Sequence, residues 1–143
     1  MELTTIVILV HAAAAAAMCG LVWFVQIVHY PLFRWVGAPG FAEYEVVHSR
    51  LTSRVVAPLM LAEAVAAVGL TFWMPAEPLV WFGLGTLVLI WLSTFLLQVP
   101  QHRRLSGGFD VVAHRRLVRT NWLRTIGWSA RAVIALALLP VAS

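Results

Sequence analysis

Residues 79–99, LVWFGLGTLVLIWLSTFLLQV, run for 21 positions without one charged side chain. An α-helix rises about 1.5 Å per residue, so a stretch of this length covers the ~30 Å hydrocarbon core of a bilayer. Three further stretches have the same character: Thr4 to Val28, Val55 to Met74, and Asn121 to Leu139. Together they occupy more than half of a 143-residue chain that is 62% hydrophobic and only 11% charged, a balance too apolar for the water-facing surface of a small domain. The predicted fold class is all-α, an integral membrane four-helix bundle. It forms a single domain, residues 1–143, with spans at about 4–28, 55–74, 79–99 and 121–139. What remains between the spans is too short for a separate soluble domain.

The net charge of +4 does not point to nucleic acid. All ten basic residues are arginines, and their positions follow membrane topology. Arg34, Arg50 and Arg54 lie in or beside the first connection, Arg103, Arg104, Arg115, Arg116 and Arg119 lie in or beside the third, and the second has none. The positive-inside rule therefore places both Arg-rich connections in the cytoplasm and both termini outside. Absence of lysine beside heavy use of Ala, Val and Leu suggests a GC-rich bacterial genome, hence a multi-pass protein of the bacterial inner membrane. The single cysteine, Cys19, excludes an intramolecular disulfide and a Cys-based zinc site. The first span is read as retained rather than as a cleaved signal peptide: Glu2 stands where a positive n-region belongs, and the apolar stretch is too long.

Local signals divide the connections. Pro31 is expected to stop the first helix and Pro100 the third. After Pro39-Gly40, the spacing of Phe41, Tyr44, Val47 and Leu51 predicts an amphipathic cytoplasmic helix that runs straight into the second span, with a kink at Pro58. Met74 to Pro78 reads as a tight outer turn flanked by Trp73 and Trp81. Gly107-Gly108 reads as a turn, followed by a second amphipathic helix from Phe109 to Arg119 that enters the fourth span. The halves can be overlaid, Gln26 and His29 on Gln98 and His102, and His48-Ser49-Arg50-Leu51 on His114-Arg115-Arg116-Leu117. Chance similarity in so biased a chain and a true duplication both account for this. The latter would give two parallel helical-hairpin repeats about an axis along the membrane normal.

Polar groups in hydrocarbon cost on the order of 2.5–3.5 kcal/mol each, so every one must find a partner. Gln26 and His29 share one helix face, as do Gln98 and His102, with Trp91 and Thr94 extending the latter. Asn121, Arg124, Trp128 and Arg131 form one stripe that must face the interior or a wet cavity. Glu63 is the only carboxylate within a span, and depth counting puts it within reach of Arg124 or Arg131. It reads either as half of a buried ion pair or as a catalytic or ligand-anchoring group with Arg124. Gln26, Gln98, Asn121 and Arg131 then form the substrate-side polar cluster. His29, His48 and His102 fall near the cytoplasmic ends of three helices. They read either as ligands of a transition metal (Cu, Fe or Zn) or of haem, or as interfacial histidines bonded to one another, to backbone or to lipid headgroups. His11, in the outer half, and His114, among arginines, read as structural.

The polar end of the first helix, Gln26-Ile27-Val28-His29-Tyr30-Pro31, and the entry to the last, Asn121-Trp122-Leu123-Arg124-Thr125, resemble the small bacterial four-helix membrane proteins grouped with the anthrone-oxygenase-like family. The resemblance covers most of the chain. It implies four spans and oxidoreductase chemistry, and it carries over no catalytic residues. Three functions follow in order. The first is a membrane-embedded oxidoreductase or oxygenase that holds a metal or haem and a lipophilic small molecule at the cytoplasmic-side polar cluster. The second is a small transporter, whose polar path would have to continue outward, where only His11 lies. The third is a structural or assembly subunit docking through Ala62, Ala66 and Gly69. Four short helices enclose little volume, which leaves room for a homo-oligomer.

Overall fold

The computed structural model describes residues 3–142; Glu2 lies outside them. All regular structure among the described residues is helical. Four long helices follow one another: α1 (Leu3–Trp35), α2 (Ala38–Trp73), α3 (Pro78–Leu105) and α4 (Val111–Leu138). The first three are long and apolar enough to cross a membrane. The fourth is as long as α3 but carries Arg124 and Arg131 in its apolar half. Each helix packs on the next in chain order, and α4 returns to α1.

Local chemistry sets the helix ends. Asp110 caps α4, its Oδ1 accepting from the backbone N–H groups of Val112 (2.7 Å) and Ala113 (3.1 Å). Glu77 caps α3 through Leu79 N–H, with Pro78 in the first turn. Gly37 (φ 87°) and Gly108 (φ 131°) take the two left-handed turns of the longer connections, a conformation that L side chains avoid. Met74 to Glu77 form the expected tight turn.

Neither Pro31 nor Pro100 stops its helix. The chain continues helically to Trp35 and to Leu105, because one π-turn absorbs each proline. The turns cover Val25–His29 and Thr94–Gln98, closed by Tyr30 N–H to Val25 O and by Val99 N–H to Thr94 O. In both, the proline follows the donor directly, where its ring would otherwise press on the carbonyl four residues back. Proline alone does not impose the feature, since Pro58 sits inside uninterrupted α-helix. The bulges also change the overlay of the halves: counted from the prolines, Gln98 takes the place of His29, and His102 that of Phe33.

The interior alternates apolar and polar layers. At the short-turn end Ile8, Leu70, Val80, Ile134 and Leu138 pack together. Mid-length, Met18, Val22, Met60, Leu87, Ile90 and Trp128 do so. At the long-loop end Val25, Tyr30, Phe33, Phe41, Leu105 and Leu117 close the interior. On the first turns of α2 the buried face is Phe41, Glu45 and His48, while Val47 and Leu51 of the apolar stripe are exposed. The inward face there is polar because it meets the histidines.

Candidate metal centre and its cavity

The extension of α2 below its apolar part places Glu45 and His48 three residues apart on one inward face. The continuation of α3 beyond its π-turn brings His102 to the same point. One ligand atom from each of Glu45, His48 and His102 lies within 4.8 Å of the other two, a group able to hold a metal ion. His102 Nδ1 stands 2.5 Å from Glu45 Oε1, and the Tyr30 hydroxyl 2.9 Å from His102 Nε2. Ser49 donates to the same Glu45 oxygen at 3.0 Å. Glu45 is fully buried, and its Oε2 has no hydrogen-bond partner.

Glu63 Oε2 is orphaned as well but belongs to a carboxylate already paired with Arg131; at Glu45 the orphaned oxygen comes with two imidazoles and no cation, which is what fits a missing metal ion. Two imidazoles and a carboxylate are an ordinary donor set for iron or zinc. Bonds of about 2.0–2.2 Å to such an ion require only rotamer-scale closing of the three side chains. A metal would displace one of the existing partners of His102, whose ring nitrogens are both engaged.

His29 is not one of the three. Its Nε2 lies 2.9 Å from His48 Nδ1, with Thr52 Oγ1 at 3.2 Å on the same nitrogen, so His29 and Thr52 orient the His48 ring. Phe33, fully buried, wedges edge-on against the His29 and His48 rings. His114 Nε2 is 2.7 Å from Tyr30 O, tying α4 to the end of α1.

A cavity of about 430 Å³ opens beside the cluster. His48, His102 and Tyr30 form its polar end, Leu21, Val22, Val25 and Val56 much of its apolar wall, and Thr94, Gln98 and Arg124 its inner side. Arg124 and Gln98 of that side make two further sets of hydrogen bonds. Asn121 Nδ2 donates to Gln26 Oε1 (3.0 Å), Gln26 Nε2 to Val118 O (3.1 Å), and Arg124 Nη1 to Asn121 Oδ1 (3.2 Å). Gln98 accepts from Ser93 and donates to Thr120, both at 3.2 Å.

Glu63 and Arg131 form a separate group. Arg131 Nε donates to Glu63 Oε1 at 2.6 Å, its Nη2 also contacts that oxygen, and His11 Nδ1 lies 3.4 Å from it. All three side chains are buried, and the space beside them admits no water. Arg131 is thus the guanidinium that meets Glu63, and Arg124 is not. Gly83 makes this possible: a Cβ there would stand 2.5 Å from Arg131 Nη1.

Asn121, Arg124, Trp128 and Arg131 are all buried, as the stripe requires. The structure thus brings His29, His48 and His102 into one cluster, joins Gln26, Asn121 and Arg124 in the layer next to it, and keeps Glu63 with Arg131 apart from both. The residue that sequence reading passed over is Glu45. A signal for it exists in Glu45-x-x-His48, a carboxylate and an imidazole one helical turn apart. No family model, curated protein or solved structure matches the chain.

Proposed function

We propose that this chain is an integral membrane four-helix bundle in which Glu45, His48 and His102 bind one transition-metal ion used to oxidise a lipophilic small molecule held in the adjacent cavity. The orphaned Oε2 of Glu45, whose other oxygen is bonded to the cavity-lining His102, is the observation that carries this reading. The membrane assignment draws support from the outward faces. Phe72, Val65, Phe82, Leu89, Leu96, Ile126 and Val133 are all strongly exposed, an arrangement that water disfavours and hydrocarbon does not. The arginines of the two longer connections gather at the end that carries the cluster, which favours a cytoplasmic location for it, with both termini outside.

A single ion is favoured over bis-histidine haem, because the His48 and His102 rings are stacked with centroids 5.6 Å apart and leave no slot for a macrocycle between them. Bound iron or copper supplies dioxygen and one-electron chemistry, and dioxygen is the external electron acceptor this reading requires. The protein's own residues do the rest. His29 and Thr52 fix the His48 ring, the Tyr30 hydroxyl is placed to exchange a proton with His102 Nε2, and the apolar wall excludes water from a lipophilic substrate. The catalytic carboxylate in this proposal is Glu45; Glu63 is a packing group. Glu63 is fully buried against Arg131 and His11 and is absent from the cavity lining, which keeps the transporter reading second.

Elemental analysis and an ultraviolet-visible spectrum of detergent-purified protein, before and after reconstitution with Fe(II), Cu(II) and Zn(II), test the centre. Stoichiometric metal that is lost in both Glu45→Gln and His102→Ala supports it. Protein that takes up none of the three ions, or retains metal in both variants, sinks it.

A further inference from the structure

Arg124 and Arg131 stand seven residues apart on one face of α4 and are almost equally buried, 6% and 1% exposed, yet only one has a counter-charge. Arg131 has Glu63. Arg124 makes no ion pair with any described carboxylate. Its polar neighbours, the Asn121 side-chain oxygen and the Tyr30 hydroxyl, are neutral, and its Nε has no hydrogen-bond partner at all. Glu45 is engaged elsewhere, by His102 and Ser49. A guanidinium cannot shed its proton to escape burial, so a buried one without an anion is a standing cost. Arg124 lines the 430 Å³ cavity, and an anion entering there would meet it.

From this we infer that the cavity takes an amphiphile with a carboxylate head, seated on Arg124, and an apolar body lying along Leu21, Val22, Val25 and Val56. The inference rests on the reading of this cavity as a small-molecule site and names its substrate class; it does not depend on the metal. A small turn of the guanidinium would bring the partnerless Nε, buried in the ligand-free protein, beside an Nη group to grip a carboxylate in two parallel hydrogen bonds. Arg103 also lines the cavity but is exposed to solvent; Arg124 is the buried cation of the lining, and one carboxylate supplies the counter-charge it lacks. A phosphate monoester would bring a second negative charge for which the buried lining offers no second cation. The hydroxyls of Thr94, Thr52 and Ser53 and the Gln98 amide are further polar groups on the cavity lining.

The test is isothermal titration of the detergent-purified full chain with decanoate and with decanamide, probes of equal length that differ in head charge. Wild type, Arg124→Gln, Arg124→Lys and Glu45→Gln are compared. Wild type is expected to prefer decanoate at least tenfold. Arg124→Gln is expected to bind the two probes alike, Arg124→Lys to keep part of the preference, and Glu45→Gln to keep it. Equal binding of the probes by wild type, binding of neither, or an undiminished preference in Arg124→Gln overturns the inference. If Arg124→Gln does not fold, the wild-type ratio and its reduction in Arg124→Lys decide. Metal uptake is read on the same samples, so a protein that prefers decanoate but takes up no metal refutes the metal reading alone, and one that takes up metal without head-group preference refutes this one alone.

Discussion

Replacing Arg131 by glutamine and, in a separate protein, Arg124 by glutamine asks the same chemical change of two buried arginines on one helix face. Arg131→Gln strands Glu63, whose Oε2 already lacks a partner, beside His11 in a space with no room for water. Removing one member of a buried ion pair costs about 3–5 kcal/mol. At ~1.4 kcal/mol per decade, the unfolding equilibrium shifts by about two to three and a half decades. Arg124→Gln removes the hydrogen bond to Asn121 Oδ1, of the charged kind worth about 1.5–3 kcal/mol, together with the contact to the Tyr30 hydroxyl, which the glutamine amide can replace in part. It also removes an uncompensated cation, whose insertion cost is about 2.5–3.5 kcal/mol. The two terms nearly cancel, so ligand-free Arg124→Gln is expected within about 1 kcal/mol of wild type. Unfolding in mixed micelles of rising denaturing-detergent fraction, followed by circular dichroism, measures both. Equal losses in the two variants, or a loss below about 1 kcal/mol in Arg131→Gln, would refute the assignment of one arginine as paired and the other as waiting for an anion.

Other expectations are simpler. Gly83→Ala forces a Cβ against Arg131 Nη1 and should cost about 1–3 kcal/mol, whereas Gly85→Ala, with open space around it, should be neutral or slightly stabilising; the same unfolding assay compares them. Asp110→Ala uncaps α4 and should lower stability by about 1 kcal/mol, with Asp110→Asn restoring most of it. His29→Ala leaves the three proposed ligands in place but frees the His48 ring; metal affinity by competition with a chelator should fall about 10–100-fold with stoichiometry retained, and an unchanged affinity would show that His29 does not orient His48.

In the membrane reading, covering hydrocarbon constrains every residue of a span, and length and apolarity alone make the helices legible. The buried stripe of α4 was legible for the same reason, since guanidiniums at helical spacing can face only inward. Two things escaped. The π-turns are a backbone response to Pro31 and Pro100, and composition records the proline but not whether the helix gives way or absorbs it; Pro58 shows that a third outcome exists. Glu45 is hidden by the spacing of Phe41, Tyr44, Val47 and Leu51, which predicts an amphipathic helix and in water would put that stripe, not Glu45, inside. Val47 and Leu51 face outward instead, and Glu45 and His48 face in. In the membrane reading this inversion is natural for an amphipathic segment at the cytoplasmic interface, which can turn its aliphatic side to the headgroup boundary rather than to the protein interior.

The π-turn at Thr94–Gln98 has one more consequence. A turn of this kind contains one residue beyond what an α-turn needs, so α3 holds a residue in reserve at that point. Deleting Leu96, an exposed side chain, should let the turn close into ordinary α-helix around Pro100, as α2 does around Pro58, with Trp91 and His102 keeping their directions. Deleting the similarly exposed Ile126 from α4, which has no such slack, must turn Arg131 by about 100° relative to Arg124 and away from Glu63. A chain that folds without Leu96 and fails without Ile126 would mark the helix on which evolution can shorten this protein by one residue without rebuilding its interior.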